Sequence, residues 1–107
     1  MKISLLIPTR KRVNNLKRLI QSVYTTASDP SNIQLAFYVD DDDTETIEFF
    51  KDEQIHKRFT NIFNTVIVVQ PRQETFGEIN NILCRNTSHE ILMLGADDIV
   101  FRTKNWD

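Results

Sequence analysis

The chain alternates short apolar runs, rich in β-branched residues, with longer segments of helical spacing. The apolar runs are Ile3–Ile7, Ile33–Val39, Thr65–Val69 and Ile91–Leu94. Runs of this length and composition are typical of buried strands. Because strands that are separated by helices pair in parallel within one sheet, the alternation predicts an α/β fold. We expect a mainly parallel sheet with the first strand in its interior and helices on both faces.

The helical segments can be placed from their apolar spacing and their capping residues. In the first, the apolar side chains fall on one face, which we expect to pack on the sheet: Val13, Leu16, Leu19, Ile20, Val23 and Tyr24. The second is predicted to begin at a capping box, Asp42-x-x-Glu45, and to continue to about Lys51.

A second capping box, Thr75-x-x-Glu78, predicts a third helix from about Phe76 to Asn86. Cys84 lies on this helix beside Leu83, and we expect it to be a small buried apolar group. The stretch 52–64 fits either a helix or a loop.

The charge and cysteine content exclude several classes of protein. Thirteen Lys and Arg against fifteen Asp and Glu give 107 residues a formal charge of -2, so no general attraction for nucleic acid is expected. A single cysteine, Cys84, cannot form an internal disulfide, which favours a reducing compartment, the cytoplasm. The apolar run before Pro8 is too short for a membrane span. The oligomeric state stays open.

The residues that directly follow the strands are the most informative. A parallel sheet binds ligands at the carboxyl ends of its strands, where the connecting loops converge. Two of these loops are basic and two are acidic: Pro8–Arg12, Asp40–Asp43, Gln70–Arg72 and Gly95–Asp98. We therefore expect a ligand site with both charges at this edge.

Each of these loops has a chemical and a structural interpretation. Asp97 and Asp98 suit a hard divalent cation, Mg²⁺ or Mn²⁺, although an Asp-Asp pair also closes strands as a polar turn. Asp40 and Asp41 can accept hydrogen bonds from a base or a ribose, whereas Asp42 or Asp43 is explained by helix capping. The basic run from Arg10 to Arg12 either neutralises a diphosphate or is a solvated helix start.

Other nucleotide-binding and phosphate-transfer classes fit less well. With only two glycines, Gly77 and Gly95, neither the G-x-G-x-x-G fingerprint nor the P-loop can be built. A receiver domain that accepts a phosphoryl group needs an acidic pair after the first strand, where this chain has Thr9-Arg10-Lys11. The receiver domain stays open as the weaker alternative, because it also gathers carboxylates around Mg²⁺ on a parallel sheet.

Four segments, in order, resemble the motifs of family 2 glycosyltransferases, which have the GT-A fold. Ile3–Arg12 resembles their opening strand and I-P-T-Y-N-R turn, and Val39-Asp40-Asp41 resembles the V-D-D of their second strand. Gly77–Asn81 resembles the G-x-x-x-N start of a helix, and Ile91–Ile99 resembles the strand that leads into the DXD motif.

The resemblance implies a GT-A, Rossmann-like sheet flanked by helices. Residues 1–107 would be its nucleotide-sugar-binding part, truncated after the DXD-like motif. The implied activity is hexose transfer from a nucleotide diphosphate sugar, UDP-linked, to a glycan or other hydroxyl acceptor with Mn²⁺ or Mg²⁺. The implied nucleotide-binding residues are Pro8, Thr9, Arg10, Arg12, Asp40, Asp41, Arg72 and Asn80. The implied metal-binding residues are Asp97 and Asp98.

The chain departs from the family pattern at two places. Arg10 stands where the family has an aromatic residue, so a base would have to stack on a guanidinium plane. Gly95 and Ala96 stand where the DXD motif has its first acid and its middle residue. Ribose and metal roles are therefore open between Asp97 and Asp98.

The catalytic residues are not identifiable within these 107 residues. The family's acceptor site and general base follow the DXD motif, so a non-catalytic nucleotide-binding or assembly module of the same fold is the alternative. Phe101 and Trp106 fit an acceptor groove or the core, and we expect the core.

Overall fold

A four-stranded parallel sheet forms the centre of the molecule. The computed structural model describes residues 3–52, 54–55, 57–58, 63–73, 75–87 and 91–107. The strands are β1 (Ile3–Thr9), β2 (Ile33–Asp40), β3 (Asn64–Gln70) and β4 (Ile91–Leu94). Their order is β3-β2-β1-β4, and each neighbouring pair is parallel. The predicted parallel α/β fold, with the first strand inside the sheet, is confirmed.

Helices lie on both faces of the sheet, as predicted. The α-helices whose bounds the structure describes are α1 (Val13–Thr26), α2 (Thr44–Lys51) and α3 (Phe76–Arg85), and a short 3-10 helix, Pro30–Asn32, precedes β2. Successive strand residues point to opposite faces, and the core is accordingly divided in two. Leu5 and Phe37 pack with α1 and α2, whereas Leu6, Ala36 and Tyr38 pack with Leu83 of α3.

Helix α1 is held by the apolar face that its sequence predicts. Leu16, Leu19 and Val23 are almost fully buried, and each contributes about 1.5–3 kcal/mol through burial. Tyr24, which was placed on the same face, is 49% exposed. It follows Val23 by one residue, and the helix rotates by about 100° per residue, which turns Tyr24 away from the sheet.

Two further burial predictions are wrong for geometric reasons. Cys84 is exposed because the residue before it, Leu83, occupies the core-facing position of α3. The strand before the Asp97-Asp98 pair is not buried, and Leu94 is 67% exposed. Within the described residues β4 pairs with β1 alone, so it is an edge strand.

The helix starts agree with one predicted cap and correct the other. Thr75 caps α3, and its Oγ1 accepts a hydrogen bond from the backbone N–H of Glu78 at 3.2 Å. Helix α2 is capped by Asp43, one residue after the predicted Asp42. Asp42 is held by Arg10 instead. In the ambiguous stretch 52–64, residues 54, 55, 57 and 58 are helical, and 53, 56 and 59–62 lie outside the described residues.

The segment after β4 returns to the end of α1. The Trp106 Nε1–H donates to Thr26 Oγ1 at 2.8 Å, and the Asn105 backbone N–H donates to the Thr26 carbonyl at 2.7 Å. The rings of Phe101 and Trp106 stack at 4.3 Å and pack against the core, which confirms the core interpretation. Among the described helices, none is long and apolar enough to cross a bilayer.

Candidate functional site

An open cleft of about 810 Å³ lies at the carboxyl ends of the strands. The β1–α1 loop, the end of β2, the loop after β3 and the residues after β4 meet there. The structure brings most of the predicted site residues to its walls: Pro8, Thr9, Arg10, Arg12, Asp40, Arg72, Asn80, Asp97 and Asp98. Asp41 is exposed and is not among the lining residues, so its predicted contact with the nucleotide lacks this support.

Arg10 joins the first basic loop to the acidic loop after β2. Its Nη1 lies 2.7 Å from Asp40 Oδ2 and 2.7 Å from Asp42 Oδ1, and its Nη2 lies 3.2 Å from Asp42 Oδ2. Hydrogen bonds to Asp42 and then to Asp40 raise the pKa of Arg10, and the bond from Arg10 lowers the pKa of Asp42. At neutral pH Arg10 and Asp42 therefore stay ionised, and the one cation lies between two carboxylates.

Asp43 also connects the same two loops, through hydrogen bonds. It is almost fully buried, and its Oδ2 accepts from the backbone N–H of Lys11 and from Thr46 Oγ1, both at 2.6 Å. Lys11 adopts a positive φ of 52°, which aims its N–H at this carboxylate. Burial alone would raise the pKa of Asp43, but the hydrogen bonds from Thr46 and Lys11 outweigh it and leave the pKa lowered.

Asp97 is buried at the floor of the cleft between two donors. Its Oδ2 accepts from Thr9 Oγ1 at 3.0 Å, and its Oδ1 lies 3.3 Å from Arg12 Nη1. The neighbouring Asp98 is exposed. The acidic pair thus has one carboxylate fixed by β1 and its loop, and one carboxylate that is open to the cleft.

Gly95 allows the chain after β4 to pass close to β1 and so to place Asp97 and Asp98 at the cleft. Its N–H donates to the Leu6 carbonyl at 2.8 Å. A Cβ at this position would lie 3.2 Å from that same carbonyl oxygen and 3.2 Å from Leu5 Cδ1. An acid at the first DXD position could not be accommodated here without a shift of β4, which gives a physical reason for the glycine.

Several lining residues were not anticipated from the sequence. Tyr38 is almost fully buried, and its hydroxyl donates to the Pro71 carbonyl at 2.7 Å. Gln73 Nε2 donates to Tyr38 Oη at 3.2 Å, so β2 supports the loop after β3. The signal was Tyr38, a polar-tipped aromatic residue within the otherwise apolar segment Leu35–Val39 of β2.

Arg72 and Asn80 are two lining residues whose polar groups are available to a ligand. Arg72 is exposed and forms no ion pair with another described residue. Asn80 lies on α3, and its buried Oδ1 has no hydrogen-bond partner. An unpaired buried acceptor is costly, so Asn80 is suited to a ligand that brings a donor.

Asp97 and Asp98 suit a divalent cation only if a substrate supplies further oxygen ligands. In the described part of the chain, no three His, Cys, Asp or Glu side chains come together as a metal site would require. Asp97 and Asp98 therefore do not form a closed protein cage. One or two carboxylates do suit Mg²⁺ or Mn²⁺ when substrate phosphates supply further oxygens, and the pair fits an ion of that kind.

Comparison with known proteins identifies the fold. No protein-family model matches the chain, and no curated protein matches it in sequence. The structure is similar to S. aureus TarS 1–349, with a TM-score of 0.71 and 17% sequence identity over 92% of this chain and 28% of that chain. At this identity the similarity shows the fold, and it confirms the fold that was expected from the sequence motifs.

Two further TarS structures contain ligands. TarS 1–349 in complex with UDP-GlcNAc matches with a TM-score of 0.72 and 17% identity, over 92% of this chain and 27% of that chain. Its complex with UDP matches with a TM-score of 0.66 and 18% identity, over 92% and 28%. The chain thus spans under a third of the length of these proteins.

Proposed function

We propose that this chain is the donor-binding part of a glycosyltransferase that transfers a sugar from a UDP-linked donor to a glycan or other hydroxyl acceptor. The observation that carries the proposal is the cleft itself, where Asp40, Arg72 and the Asp97-Asp98 pair meet at the carboxyl edge of the sheet. The fold of TarS, whose structures hold UDP-GlcNAc and UDP, supports this choice of donor.

The cleft divides into regions of different charge, which suits a nucleoside diphosphate. Arg10, Asp40 and Asp42 together have a formal net negative charge, and Asp40, which lines the cleft, offers its carboxylate to a nucleobase N–H or a ribose hydroxyl. Arg12, beside Asp97, offers cationic N–H groups to the phosphates, and Arg72, which follows β3, offers them to the base or to a phosphate. In the strand order β3-β2-β1-β4, the base would therefore lie towards the end of β2, and the diphosphate towards Arg12 and the end of β4.

Asp97 and Asp98 would hold Mn²⁺ or Mg²⁺ together with the diphosphate oxygens. When bound, such an ion neutralises the charge that develops on the leaving diphosphate. The residues of this chain bind and orient the donor. A cytoplasmic location is part of the proposal, because a single cysteine is compatible with a reducing compartment.

Calorimetry tests the donor proposal directly. We expect the protein to bind UDP in the presence of Mn²⁺ more tightly than it binds ADP or GDP, and to bind UDP more weakly after chelation of the metal. If no nucleoside diphosphate binds, with or without Mn²⁺, the proposal is wrong.

Substitution of the acidic pair tests the metal assignment. Saturating UDP and Mn²⁺ should raise the Tm of the wild type, since a ligand at 100 times its Kd stabilises by about 2.7 kcal/mol. Asp97→Asn and Asp98→Asn keep their shape but lose charge, so at least one should lose most of this shift. Glu48→Gln removes an exposed acid of α2 and should keep the full ligand-induced shift in Tm. If both aspartate variants keep the full shift, the pair only closes the strand.

A further inference from the structure

The geometry around Arg10 fixes which part of its guanidinium a ligand can meet. A guanidinium carries five N–H donors. Nη1 donates to Asp40 and Asp42, and Nη2 donates to Asp42, so the outer edge of the group is largely occupied. The side chain still lines the cleft and is 31% exposed. What remains for a ligand is mainly the planar face.

We propose that Asp42 is a positioning residue that holds Arg10 as a flat platform on which the nucleobase of the donor stacks. Asp42 is 62% exposed on its side chain and is not among the residues that line the cleft, so it acts through Arg10. The inference rests on the proposed nucleotide-binding function and assigns Asp42 a role beyond helix capping.

The charges around Arg10 suit it to stacking on a base rather than to binding a phosphate. Arg10 is matched by two carboxylates, and a cation neutralised in this way attracts a diphosphate poorly. Arg72 has no such partner among the described residues. A guanidinium that is fixed at its edge has already lost its rotamer freedom, so stacking on its face costs little further entropy.

A pair of ligands distinguishes positioning of the base from a general loss of structure. Asp42→Asn should weaken UDP binding about tenfold, the scale expected when a stacked cation loses its orientation. It should change the affinity for inorganic diphosphate with Mn²⁺ by less than about twofold, because no phosphate contact is altered. Isothermal titration calorimetry measures both, and Asp42→Glu should restore part of the UDP affinity.

The matched control is Glu45→Gln, which removes a charge from the exposed first turn of α2 and should leave UDP affinity unchanged. Arg10→Lys keeps the charge but removes the plane, so its effect should not add to that of Asp42→Asn. The inference is overturned if the wild type binds UDP and Asp42→Asn binds it equally well. It is also overturned if Asp42→Asn weakens UDP and diphosphate alike. A wild type that binds no nucleotide overturns the proposed function, and this inference with it.

Discussion

Asp43 is the residue whose loss should be most costly at the site edge. It caps α2 and accepts the Lys11 N–H from the other loop, while its side chain is buried. Asp43→Ala removes the cap and leaves donors unpaired, so we expect the free energy of unfolding to fall by about 1–3 kcal/mol. Urea denaturation measures this. Asp41→Ala, an exposed neighbour, should change it by less than about 0.5 kcal/mol.

The contribution of Asp43 to the stability of the protein should depend on pH. The folded pKa of Asp43 is lowered from its ordinary value of 3.8 by hydrogen bonds that outweigh its burial. Its contribution is therefore present above the ordinary value and is lost as the pH falls through the folded pKa. The stability difference between wild type and Asp43→Asn should shrink on acidification below 3.8. A difference that grows there would contradict the assignment.

At the scale of the elements, the sequence predicts the strands and helices well and their edges less well. Apolar runs locate β1 and β2 because both strands are buried on two faces. The same reasoning predicts that β4 is buried, which is wrong, because an apolar run does not reveal whether a strand has one neighbour or two. The cap of α2 moves from Asp42 to Asp43 because a distant residue, Arg10, takes the first carboxylate.

The two glycines give opposite predictions for the elements that carry them. Gly95→Ala places a Cβ 3.2 Å from the Leu6 carbonyl oxygen, where a fixed backbone cannot yield, and overpacking should cost about 1–3 kcal/mol. Gly77 lies in α3, and the atom nearest to a Cβ added there is Thr75 Oγ1, at 3.7 Å. Gly77→Ala should stabilise the protein by about 0.5–1 kcal/mol through helix propensity. Thermal melts compare the two, and equal effects would contradict the close approach of β4 to β1.

At the scale of the molecule, the position of the site follows from the parallel sheet. Because the strands run in one direction, the residues after each strand meet at one edge, and Thr9, Asp40 and Asp97 come together from separate parts of the sequence. The buried Tyr38 signalled that its hydroxyl needs a partner, but the partners themselves, Pro71 and Gln73, were not predictable. They depend on the conformation of a loop that no periodic pattern describes.

The last segment of the chain provides a test of whether the described parts fold as one unit. Trp106 is the single tryptophan, and it is bonded to Thr26 at the end of α1 and stacked on Phe101. The Phe101 N–H donates to Ser22 Oγ at 3.0 Å, which gives the segment a second attachment to α1. Since both aromatic rings pack against the core of the sheet, they should leave it only when the sheet unfolds.

Tryptophan fluorescence and far-ultraviolet circular dichroism should therefore report the same urea midpoint, as two-state unfolding requires. Trp106→Phe retains the stacking but loses the bond to Thr26, so the dichroism midpoint should fall by the equivalent of about 0.5–1.5 kcal/mol. Tyr24→Phe keeps an exposed ring on α1 and should leave that midpoint unchanged. If fluorescence changes at lower urea than dichroism in the wild type, the segment detaches from α1 before the sheet unfolds. The Asp97-Asp98 pair would then be supported by β4 and the Thr9 bond rather than by the segment that follows it.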